Sequence, residues 1–112
     1  MIIDFDKIEA QFIDHFKGGE GTLETYNYCD EDNKIMYSRL KPQSNSGLHR
    51  HEGNSEIMFI LSGEGHLVYD DTEEPATAGT VHYCKRGHSH ALYNDGDTDL
   101  VYMSVVPEHC RS

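Results

Sequence analysis

The chain has no tryptophan, only three prolines and three cysteines, and only nine basic residues to set against twenty acidic ones. With a formal net charge of −11, a phosphate backbone would be repelled over most of the surface, so nucleic acid is not an expected partner. Long apolar runs are missing too. Nothing approaches the roughly 20 residues that span a bilayer, and Met1-Ile2-Ile3-Asp4 lacks the basic-then-apolar pattern of a signal peptide. The reading is a cytoplasmic protein with no membrane partner. Cys29, Cys84 and Cys110 are odd in number and widely spaced, with no Cys-x-x-Cys pair. Neither a disulfide framework nor a zinc ribbon is indicated, and a reducing compartment is the simpler setting.

What is present fits one small domain over residues 1–112, because a second core would leave each half below the size at which burial offsets chain entropy. Phe5, Ile8, Phe12, Ile13 and Phe16 recur at three- and four-residue spacing, with Asp6 and Glu9 placed as a capping pair and Gly18-Gly19 as a stop. This predicts a short amphipathic helix within a lead-in over residues 1–20. From Thr22 the pattern changes to short segments rich in Tyr, Val and Ile, separated by Gly, Asn and Asp clusters. Strands are expected at 25–29, 35–41, 48–51, 57–61, 66–69, 81–84, 91–93 and 100–106. The acidic run Asp70, Asp71, Glu73, Glu74 reads as a solvated hairpin tip. An all-β fold over 22–107, either a closed barrel or a double-sheet jelly roll, deals with the exposed edges of so many short strands.

Eight histidines are many for this length. In a strand, His49 and His51 project from one face and can grip the same ion. A turn through Gly53-Asn54 would return the Glu56 carboxylate to that pocket, and His90 would come from another strand across the barrel. Eight scattered histidines produce some His-x-His pair about as often as not, and His88-Ser89-His90 is a second one. Ordinary surface or core histidines are therefore the default, and only the longer arrangement raises the signal.

His49-x-His51, four residues, Glu56, six residues, Gly63 resembles the first motif of the cupin superfamily; Gly79, seven residues, Gly87, two residues, His90, three residues, Asn94 resembles the second. The resemblance covers residues 43–94. It implies a cupin-type jelly-roll β-barrel, a homodimer, turn glycines at 63, 79 and 87, and one divalent transition metal held by His49, His51, Glu56 and His90. The family pattern would place Gly at Gln43 and Pro at Lys85. Gln43, directly after Pro42, is not expected to take the positive φ that Gly permits in a type II turn.

Three imidazoles and a carboxylate suit Fe, Mn, Ni, Co, Cu or Zn, with no thiolate to fix the choice. An octahedral ion would keep two positions for a substrate or dioxygen, whereas a tetrahedral one would be closed. The first functional reading is therefore a metal-dependent enzyme (dioxygenase, decarboxylase or isomerase type) acting on a small oxygen-rich metabolite. The alternative is a non-catalytic small-molecule-binding protein with a structural or sensing metal. Met58, Ile60 and Leu92 share strand faces with the ligands and should form an apolar floor. His82 and Cys84 share one face and Val81 and Tyr83 the other, so one pair faces inward. An inward His82 would be a proton shuttle or a partner of a ligand. Cys84 reads as a small core residue. One or two of the seven tyrosines, and Arg39 if its face is inward, are candidates to bind a ligand; His15, His66 and His109 read as surface residues.

Overall fold

The structure is a computed structural model and describes residues 1–108; His109 and Cys110 lie outside the described residues. Ten strands make up nearly all of its regular structure: β1 (Gln11–Asp14), β2 (Thr22–Cys29), β3 (Asn33–Leu40), β4 (His49–Arg50), β5 (Glu56–Ser62), β6 (Glu64–Tyr69), β7 (Thr72–Thr77), β8 (Val81–Cys84), β9 (Ser89–Asn94) and β10 (Leu100–Pro107). They form a six-stranded sheet, β1-β2-β3-β10-β5-β8, and a four-stranded sheet, β4-β9-β6-β7. The fold is all-β as expected, with its wall divided between two sheets rather than closed by one continuous ladder.

The N-terminal helix does not form. Phe5–Lys7 and Phe16–Gly18 are single turns of 3-10 helix, and between them β1 pairs antiparallel with β2, Ile13 opposite Leu23. An isolated helix of this length does not recover its nucleation cost, whereas β1 satisfies its backbone along the β2 edge. Asp4, rather than Asp6, caps the first turn by accepting from the Asp6 N–H at 3.0 Å.

Turn chemistry explains the rest of the order. The Asp30 carboxylate accepts from the Asp32 and Asn33 N–H groups at 2.9 Å each, which closes the β2–β3 hairpin as an Asx turn. The acidic run is only partly a tip: Asp70 takes a left-handed φ of 51° at the turn, but Glu73 and Glu74 lie on β7, a strand the sequence pattern did not show. Gln43 does adopt positive φ, at 61°. The turn is held from both sides. Ser44 donates its N–H to the Lys41 carbonyl at 3.1 Å, and its carbonyl accepts from the Asn94 N–H at 3.0 Å, so tertiary bonds offset the steric cost of a side chain there.

Between the sheets lie Leu23, Leu40, Met58, Ile60, Leu67, Ala76, Leu92, Leu100 and Tyr102, with Phe16 packed against them. Alternation along β5 and β9 puts Met58, Ile60 and Leu92 on the same inward faces as Glu56 and His90, as the strand pattern predicts. On β8 it is His82 and Cys84 that turn inward, while Val81 and Tyr83 are exposed.

Candidate metal centre

His49 on β4 and His90 on β9 are direct cross-strand partners in the four-stranded sheet. His90 thus comes from the adjacent strand, not from across the barrel as the sequence suggested. It is Glu56, the first residue of β5, that crosses from the other sheet. His51 follows β4 and is fixed by its backbone, its N–H donating to the His88 carbonyl at 3.0 Å.

The donor atoms converge. His90 Nε2 lies 3.1 Å from His49 Nε2, 3.1 Å from His51 Nε2 and 3.1 Å from Glu56 Oε1, and His51 Nε2 lies 3.2 Å from the same oxygen. His51, Glu56 and His90 are buried and His49 half-buried. Each imidazole has a partner at its other nitrogen: His49 Nδ1 donates to the Gly47 carbonyl at 2.7 Å, His51 Nδ1 donates to Asn54 Oδ1 at 2.6 Å, and His90 Nδ1 lies 3.1 Å from His82 Nε2. Nδ1–H tautomers leave three Nε2 lone pairs and a carboxylate facing one point, an arrangement that calls for a cation.

The four donor atoms lie within 4.8 Å of one another, close enough to share one ion. Their chemistry, three imidazole nitrogens and a carboxylate oxygen, fits a divalent metal.

Electrostatics point the same way. Burial opposes ionisation of Glu56, but the His51 and His90 imidazoles within hydrogen-bond reach hold its carboxyl well below the usual range. The hydrogen bond to Glu56 raises the His51 pKa against the effect of burial, and Asn54 adds to the rise. Burial lowers the His49 pKa, keeping it the neutral donor that a metal needs.

Other candidates fall outside this cluster. His88 pairs with Asp70 through Nδ1 at 2.6 Å and stacks on Tyr69. Arg39 lies on the outer face of β3, bonded to the Tyr37 hydroxyl, beside a cleft of about 610 Å³ formed with the N-terminal residues. His15 is exposed. His66 is half-buried rather than free at the surface, stacked on Tyr93 at 4.6 Å and bonded to Asp95 at 2.7 Å. Among the tyrosines, Tyr102 is the buried one; burial pushes its hydroxyl pKa up and the Glu56 charge adds to this. Sequence reasoning missed Asn54, read only as part of a turn, and Glu74, whose carboxylate lies 3.0 Å from His82 Nδ1. No local pattern marked Glu74, because Thr72 to Thr77 carries no apolar alternation.

A cupin domain family model matches residues 36–106. An oxalate-binding protein of Thermotoga maritima is 35% identical over 112 residues, covering 95% of this chain and 93% of its own. The crystal structure of a predicted oxalate decarboxylase from Thermotoga maritima superposes with a TM-score of 0.90 at 32% identity, covering 96% of this chain and 99% of that one. The polyketide cyclase RemF of Streptomyces resistomycificus, 17% identical with a TM-score of 0.77 over 99% of this chain and 80% of its own, shares the fold. With the match spanning both halves of the histidine cluster and most of the strands that carry it, this chain belongs to the cupin family.

Proposed function

We propose that the chain is a metal-dependent cupin enzyme that binds one divalent transition metal through His49, His51, Glu56 and His90 and acts on a small oxygen-rich carboxylate of the oxalate class. The observation that carries this reading is the set of 3.1 Å distances from His90 Nε2 to all three other donors. Four protein donors would leave an octahedral ion two positions, which would suit a bidentate ligand such as a 1,2-dicarboxylate. The ion would supply Lewis acidity and charge neutralisation for that anion.

The chain's own residues do the rest. The Glu56 carboxylate and three neutral imidazoles leave a divalent ion with a net positive charge that favours an anion. Met58, Ile60 and Leu92, each buried, form an apolar floor that keeps bulk water from that side. Tyr102 and Ser104 face inward on β10, and Ser104 Oγ is buried without a hydrogen-bond partner among the described residues.

The oxalate-binding description of the Thermotoga maritima relative favours a second reading, in which the metal captures the same ligand without turnover. One experiment addresses both. Protein purified without a histidine tag is analysed for metal, reconstituted with Mn(II) or Co(II), and titrated with oxalate by calorimetry while carbon dioxide and formate are followed. Oxalate binding that requires metal and is lost in a His49→Ala, His51→Ala double variant supports the site; turnover selects the enzyme and binding alone the second reading. Absence of metal after reconstitution would overturn both.

A further inference from the structure

His82 belongs to the edge strand of the six-stranded sheet, yet its imidazole crosses to two residues of the other sheet. Nε2 lies 3.1 Å from His90 Nδ1, and Nδ1 lies 3.0 Å from Glu74 Oε1. His82 is 5% exposed and His90 3% exposed, so the bond between the two rings is shielded from water, while the Glu74 side chain, 41% exposed, forms the solvent end of the arrangement. Tyr69 closes the arrangement with its ring edge-on to His82, centroids 5.4 Å apart at 85°. Nothing in barrel filling requires this. The position faces Met58 across the β5–β8 ladder, where an apolar side chain would pack without two hydrogen bonds to satisfy.

We infer that Glu74 and His82 form a positioning chain that sets the tautomer and ring orientation of His90 for the metal. The inference rests on the metal centre proposed above. Its direction follows from donor and acceptor chemistry. The Glu74 carboxylate only accepts, so His82 carries its proton on Nδ1 and presents a lone pair at Nε2. That lone pair accepts from His90 Nδ1–H, which leaves His90 Nε2 as the lone pair facing His49, His51 and Glu56. The chain thereby excludes the one tautomer in which His90 could not bind an ion. Partial negative charge passed through His82 also makes His90 a better donor. An apolar residue at 82 would strand the His90 Nδ1–H in a dry interior, where rotation or tautomer exchange becomes its remaining way to find a partner.

The test compares His82→Leu, His82→Gln, Glu74→Ala and Glu74→Gln with wild type. Zinc affinity is measured by competition against a chromophoric chelator, and imidazole nitrogen and proton resonances are recorded on folded, zinc-loaded and zinc-free protein. Glutamine at 82 can accept from His90 and donate to Glu74, and glutamine at 74 can still accept from His82. The expected order of affinity is wild type, then the two glutamine variants, then Glu74→Ala, then His82→Leu, with His82→Leu weaker than wild type by about 10- to 100-fold. Wild-type His90 should show a slowly exchanging Nδ1 proton that is lost in His82→Leu and restored in His82→Gln. Equal zinc affinity in folded His82→Leu, or an unchanged His90 tautomer there, overturns the inference. If wild type binds no zinc, the proposed function fails, and the zinc-free spectra still decide the chain: His90 protonated on Nδ1 in wild type but mixed in His82→Leu supports it, and identical tautomers sink it.

Discussion

Asn54 Oδ1 accepts from His51 Nδ1 at 2.6 Å, so a residue in the turn between two sheets fixes which His51 nitrogen is free. Asn54→Ala removes that acceptor in a partly buried setting. It should weaken metal binding by about tenfold, while Asn54→Asp, which still accepts, should hold affinity close to wild type. Chelator competition on the folded variants checks this; equal affinity for Asn54→Ala would mean that His51 is oriented by its backbone alone.

His88 is two residues from His90 but faces another way, with its Nδ1 taken by Asp70. His88→Ala should therefore leave metal content unchanged and have little effect on stability, because the pair is exposed. Elemental analysis is the check. Loss of metal in a folded variant would place His88 in the ligand set and reopen the assignment of His90.

Lys41 donates to Glu24 at 2.7 Å and to Asp99 at 3.1 Å, linking the β3 end to the β10 lead-in. The hydrogen bond from Lys41, with a further one from Tyr26, holds the Glu24 carboxyl below its ordinary 4.5, and the bond to Glu24 raises Lys41 above its ordinary 10.5. A depressed acid contributes stability above its unfolded value and loses it as pH falls through the folded one; a raised base contributes below its unfolded value and loses it as pH rises. The cost of Lys41→Met should thus be largest between about pH 5 and 10 and shrink as pH falls below 4.5 through the folded Glu24 value, staying below about 1 kcal/mol because the pair is partly exposed. Denaturation midpoints of both proteins across pH provide the test, and a cost independent of pH would assign Lys41 a packing role only.

Cys84 is fully buried beneath Glu56 on the β5–β8 ladder, and burial, with the Glu56 and Asp70 charges, pushes its thiol up to about 12. Cys29 is exposed. Iodoacetamide at pH 8 should label Cys29 and spare Cys84 in the folded protein, and label both in denaturant. Peptide mapping by mass spectrometry reads the outcome directly; rapid labelling of Cys84 in the native state would show that this edge strand opens.

Much of the fold was legible in local pattern. The period-two segments located eight of the ten strands or parts of them, all but β1 and β7: Phe12 and Ile13 carry a helical spacing that the β2 edge overrides, and β7 is too acidic to look like a strand. The inward turn of His82 was undecidable because alternation gives two faces without saying which is interior.

The residue order alone determined that His49, His51, Glu56 and His90 occupy the spacing of a cupin site, because ligand-bearing strands and turn glycines are short-range features. Only the tertiary structure decided which sheet supplies each donor, that His90 is adjacent to all three others at 3.1 Å, and that Asn54, Glu74 and His82 stand behind them. Apart from the local contact of Asn54 with His51, those relations join residues carried on different strands, so they arise from sheet register and sheet-to-sheet packing, which no local pattern encodes.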